Sequence, residues 1–162
     1  MKKAICVAAI LFASLCCGQA FADGVKLQRP VPFAADNEIA DAIKNECTIG
    51  AQLADFVQEY SAVPVEFTTE PATSGRVLQL EIVDAVSMGN AFIGHQKFTK
   101  VKGTLFEDGK KVAGFKARRN SMGGAFAGFK GSCSVLGRTV NAIGEDIAGW
   151  LAAPKDGATL GD

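Results

Sequence analysis

The chain has 162 residues, 48% of them hydrophobic, with 17 basic side chains balancing 17 acidic ones. That composition excludes a disordered polymer, and the length suits one domain with an adequate core rather than two. Zero net charge excludes a globally basic nucleic-acid binder.

In chain order, Lys2 and Lys3 precede an apolar run from Ala4 to Leu15, then Ala20-Phe21-Ala22 ahead of Asp23. Residues 1–22 read as a secretory signal, too short for a membrane span, so the expected location is periplasmic or secreted. Lipidation at Cys16 or Cys17 would need a small residue just before the cysteine. Leu15 and Cys16 stand there instead, which argues against a lipoprotein. Beyond the signal, no stretch approaches the 18 apolar residues of a spanning helix. Only Cys47 and Cys133 remain in the mature chain. An even pair in an exported protein predicts one disulfide, worth on the order of 4 kcal/mol in the chain-entropy model.

Residues 23–35, with Pro30 and Pro32, read as an extended lead-in or short edge strand. A single domain is expected over 36–154, followed by a flexible tail over 155–162. Asp36 or Asn37 can cap a helix running to Tyr60, with Ile39, Ile43, Leu53, Val57 and Tyr60 as a large apolar stripe. Beside it lies a small stripe of Ala40, Cys47, Gly50, Ala51 and Ala54. A second helix, about 133–152, repeats the plan. Leu136, Val140, Ile143, Ile147 and Trp150 are its large stripe; Cys133, Gly137, Gly144 and Ala148 are its small one. The small stripes predict two helices lying side by side, joined by Cys47–Cys133. Close packing would offset three helix-interior glycines, each costing about 1 kcal/mol in propensity.

Between the helices, residues 63–68, 76–86, 95–106 and 111–119 read as strands, the first at an edge because of Pro64. Glu107-Asp108-Gly109-Lys110 is a hairpin turn. A three-residue loop with a bulge keeps Val101, Leu105, Ala113, Phe115 and Ala117 on one face. It puts Lys100, Lys102, Lys116 and Arg118 on the other. The predicted fold is α+β, two helices on one face of a four-stranded, mainly antiparallel meander with one disulfide.

Charge is segregated, with an acidic residue run over 36–70 and a basic one over 94–130. Four cations on one sheet face repel one another unless neighbours such as Glu81 offset them. They suit an acidic partner, an envelope protein or an anionic lipid or glycan surface; the bland alternative is a solvated face that discourages aggregation. A second feature is an internal echo: residues 87–94 (SMGNAFIG) recur as 121–128 (SMGGAFAG). Each copy follows a strand, and Phe129 extends the second. Met88, Phe92, Met122, Phe126 and Phe129 are candidate contacts of an apolar lip that docks a partner, lipid or small amphiphile. The alternative is a pair of glycine turns plugging the core.

Catalytic signatures are sparse. His95 is the one histidine, with no Cys or His cluster around it for a metal, and there is no Gly-x-Ser-x-Gly elbow. A hydrolase centred on His95 is the minor reading. The expectation is a non-enzyme without cofactor or metal, with no nucleic acid as partner. Three stretches, Gly75–Val86, the Phe106–Val112 hairpin and Ile143–Leu151, together resemble a group of small bacterial envelope proteins. That resemblance covers about 80 residues and implies an exported helix–meander–helix domain with an accessory or binding role, in some relatives lipid-anchored.

Overall fold

The computed structural model describes residues 24–88, 96–121 and 131–161, without the side chains of Met88 and Gln96. The predicted signal over 1–22, His95, Phe92, Met122, Phe126 and Phe129 therefore lie outside the described residues. The elements run β1 (Val25–Gln28), α1 (Asp41–Glu46), α2 (Ile49–Tyr60), β2 (Val65–Thr68) and β3 (Arg76–Met88). They continue through β4 (Gln96–Glu107), β5 (Lys110–Asn120), α3 (Ser132–Ala152) and β6 (Ala158–Gly161).

Among the described residues the architecture is α+β, with three helices and a six-stranded mixed sheet of order β2-β1-β3-β4-β5-β6. The predicted meander is its centre: β3–β4 and β4–β5 are antiparallel. Two crossovers, expected as a lead-in and a tail, enlarge it. β1 pairs parallel with both β2 and β3, so it is interior rather than an edge strand. Pro30 and Pro32 fall beyond its last residue, Gln28, and remove no ladder donor from it. Val25 and Leu27 point into the core, fully buried. The predicted flexible tail is likewise corrected. Past Pro154 the chain turns at Gly157 (φ 71°) and returns as β6, parallel to β5. The Trp150 indole N–H donates to the Lys155 carbonyl at 3.0 Å and fastens the return.

The helices pack on the sheet face that carries Leu78, Leu80, Ile82, Val101, Leu105 and Phe115, forming one core with Ile49, Leu53, Val57, Leu136, Ile143 and Ile147. The hairpin register agrees with the predicted faces, but by a different device. Asp108 (φ 47°) and Gly109 (φ 77°) form a two-residue turn. A separate bulge then shifts the register between Leu105↔Ala113 and Phe106↔Lys111, leaving Val112 as the extra residue. Burying Ala113, Phe115 and Ala117 together is what requires the shift.

The first predicted helix is two. Asn37 does not cap a helix; its side-chain oxygen accepts from the Ile39 N–H at 3.1 Å in a local turn. Cys47 is extended (φ −101°, ψ 122°), and α2 starts after it. The break lets Ile43, Cys47 and Ile49 all face the core, which a continuous helix cannot do over that spacing. Tyr60, expected in the apolar stripe, is 41% exposed, and its hydroxyl accepts from Asn141 Nδ2 at 3.0 Å.

The small stripes pack α2 against α3, glycine by glycine. A Cβ at Gly144 would stand 2.6 Å from the Phe56 Cβ, and one at Gly137 would stand 3.1 Å from Gln52 Oε1. Gly50 instead admits the Val31 backbone, whose N–H donates to the Gly50 carbonyl at 3.1 Å. Gly149 meets nothing within 4 Å, so close packing does not account for it. Gly149→Ala is therefore expected to stabilise the protein by about 0.5–1 kcal/mol through helix propensity. A denaturant midpoint unchanged or lowered would contradict that.

Candidate functional site

The face of the sheet opposite the helices carries the predicted basic patch. Strand alternation turns Lys100 and Lys102 of β4, and Lys116 and Arg118 of β5, to the same side. The ladder sets Lys100 directly opposite Arg118 and Lys102 directly opposite Lys116. Two antiparallel like-charge pairs thus stand next to each other, each costing a few tenths to about 1 kcal/mol unless compensated.

The compensation is lopsided. On the β3 side, Lys102 pairs with Glu81 at 2.9 Å and Lys100 with Asp84 at 2.9 Å. A bulge at Val83, where the β3–β4 register shifts between Ile82 and Asp84, brings Asp84 onto this face. The hydrogen bond to Glu81, with its negative charge, holds the Lys102 ammonium above the usual lysine range. On the β5 side, Arg118 donates to the Asn120 side-chain oxygen at 3.0 and 3.2 Å and lies 4.7 Å over the Phe98 ring centroid. Both partners are neutral. Lys116 is exposed and has no ion-pair partner among the described residues. Arg119, the next cation in sequence, points to the helix side and grips Asp146 of α3 with two hydrogen bonds of 2.8 Å. It belongs to the scaffold.

Two shallow depressions share Lys102 and Lys116. One, of about 280 Å³, is lined by Val83, Lys100, Ala117, Arg118 and Thr159 besides these two. The other, of about 420 Å³, continues toward the hairpin over Gly114. Lys111 pairs there with Asp156 at 3.0 Å, and that hydrogen bond holds the Asp156 carboxyl below the usual carboxylate range. This exposed pair stays ionised above the ordinary carboxylate pKa and is lost only as pH falls through the lowered value.

A third cleft, of about 450 Å³, lies beside the cross-link, between Ile43, Glu46, Cys47, Asp84, Ser87 and Cys133. Its Ser87 hydroxyl is buried without a hydrogen-bond partner among the described residues. The cross-link is the predicted one, Cys47–Cys133, with Cα atoms 5.0 Å apart. Among the described residues no three His, Cys, Asp or Glu side chains gather to hold a metal. No helix there is long and apolar enough to cross a membrane.

Of the second predicted site, Met88 alone falls among the described residues, without its side chain. β3 ends at Met88 and β5 at Asn120; both run antiparallel to β4, so the two strands end on the same side of the sheet. Sequence reading missed Asp84 as a partner for Lys100, because the bulge at Val83 changes which face residue 84 occupies. It also missed the contribution of Lys111, which needs β6 to bring Asp156 beside it.

No protein-family model and no curated protein matches the chain. Solved structures do. XCC0632 from Xanthomonas campestris, a DUF330 protein, matches at TM-score 0.53 with 13% identity, covering 79% of this chain and 82% of that one. PelC from Paraburkholderia phytofirmans, a dodecamer, matches at TM-score 0.47 with 10% identity over 78% of this chain and 89% of its own. A single-substitution variant of the same dodecamer matches at 0.45 with 13% identity over 78% and 86%. At 13% identity the XCC0632 likeness concerns the fold alone.

Proposed function

We propose that the chain is a non-enzymatic, exported binding module of the bacterial envelope, and that the basic open sheet face is its contact surface for an acidic partner. The observation that carries this is the unbalanced cation pair Lys116 and Arg118, aligned opposite Lys102 and Lys100 on the face the helices leave bare. Edge protection is the common reason for lysines on a sheet. It does not serve here, because β4 and β5 are interior strands flanked by β3 and β6. Retaining two repulsive pairs in the sheet interior makes sense if an anion relieves them on binding. The export part of the reading is supported by the disulfide, which suits an oxidising compartment, and by the signal pattern of residues 1–22.

The test is titration of the mature chain with fluorescent poly-glutamate. Binding is expected at about 20 mM NaCl and should fall at least tenfold by about 300 mM, as screening by salt requires. Absence of binding at low salt to poly-glutamate, to polygalacturonate and to phosphatidylglycerol vesicles alike would overturn the reading.

A further inference from the structure

We infer that the basic face holds an extended acidic protein segment, with a carboxylate at every second residue, laid along β5 across Lys116 and Arg118. The inference rests on the reading above and names its ligand. Three observations on the face lead to it.

The first is where charge is left over. The β4 cations are already matched by Glu81 and Asp84, whereas Lys116 and Arg118 have no carboxylate beside them among the described residues. A ligand that breaks no ion pair engages the β5 row. Arg118 is oriented beforehand by Asn120 and the Phe98 ring, leaving its planar fork less to lose on pairing with a carboxylate.

The second is spacing. Residues two apart on a strand lie about 6.8 Å apart on one face. An extended peptide carries its own alternate side chains at that same interval, so acids at alternate positions fall in step with Lys116 and Arg118. The smaller depression continues the track past Lys102, and the larger one ends it at Gly114, where the Asp156 carboxylate, already paired with Lys111, meets the floor.

The third is what the face lacks among the described residues. A membrane surface calls for protruding apolar side chains, but the large exposed hydrophobics, Tyr60 and Val112, line neither depression. A glycan calls for an open aromatic platform, but Phe98 is 8% exposed, with Lys100 and Arg118 over its ring.

The experiment compares two labelled peptides of about eight residues at about 20 mM NaCl, by fluorescence anisotropy with the whole mature chain. One alternates Asp and Thr; the other has the same composition with its Asp residues in one block. The alternating peptide should bind at least about threefold more tightly, and K116Q/R118Q should weaken it at least about tenfold. Lys116→Gln alone, at an exposed position without a partner among the described residues, should weaken it severalfold, while Lys110→Gln in the hairpin turn should not. Equal affinity for the two peptides, or unchanged binding by K116Q/R118Q, would overturn the inference. So would binding of polygalacturonate or phosphatidylglycerol vesicles in a Lys116-dependent manner without peptide binding, which would leave the basic-face reading standing. If poly-glutamate, polygalacturonate and the vesicles all fail to bind at low salt, both fall.

Discussion

The paired substitutions Cys47→Ser and Cys133→Ser should lower stability by about 4 kcal/mol. The bond links residues 86 apart in sequence, so its loss releases most of the chain in the unfolded state. On the folded side the bond fastens α1, a six-residue helix with no side-chain cap, to the first turn of α3. A helix so short has little stability of its own. Urea titration of the two forms should show a lower midpoint for the double variant, with a thermal shift on the order of 10 °C. The sheet and the α2–α3 pair hold most of the core without the bond, so the variant should still fold near room temperature. A loss under about 1 kcal/mol would mean that the cross-link constrains little.

Gly103→Val should cost about 3 kcal/mol. The Phe115 ring, from the residue opposite on β5, lies across Gly103, and a Cβ there would overlap it. The Leu80 Cδ2 closes the other side, 2.8 Å from that position. The Phe115 ring also meets Trp150 edge-on, with centroids 4.7 Å apart, which limits its retreat. Valine therefore forces Phe115, Trp150 and the α3–sheet spacing to move together. Guanidinium titration should show the loss, with near-ultraviolet circular dichroism reporting the displaced aromatic pair. A stability within about 0.5 kcal/mol of wild type would contradict the packing described.

These two positions differ in how far the sequence betrays them. The cross-link is legible by counting, since only two cysteines lie beyond the predicted signal. The Gly144 approach to Phe56 is legible too, because small residues recur at helical spacing beside a large apolar stripe. Gly103 is not. Its role depends on which residue of β5 lies opposite, and that register turns on the Val112 bulge. The faces of β4 and β5 could still be read, because burying Val101, Leu105, Ala113 and Phe115 together allows only one arrangement of Lys100, Lys102, Lys116 and Arg118.

What escaped was short or defined by tertiary contact. β1 and β6 have four residues each, too few for alternation to stand out, and both are held by parallel neighbours distant in sequence. The division of the first helix at Cys47 left an apolar pattern that fits one helix nearly as well as two. At the site, all four cations were visible, but the imbalance between them was not. It arises because a bulge on β3 delivers Asp84 to Lys100, while no carboxylate among the described residues comes to Lys116.

The open sheet face is the place where a partner is expected to bind. The most direct measurement is a nitrogen–proton correlation spectrum of the labelled mature chain, titrated with the alternating acidic peptide at low salt. The amides of Lys100 to Lys102 and Lys116 to Arg118 should shift together and saturably, with α2 and β2 unmoved. Shifts confined to the helices, or centred on the segments that follow Met88 and Asn120 with β5 silent, would contradict a binding site on this face.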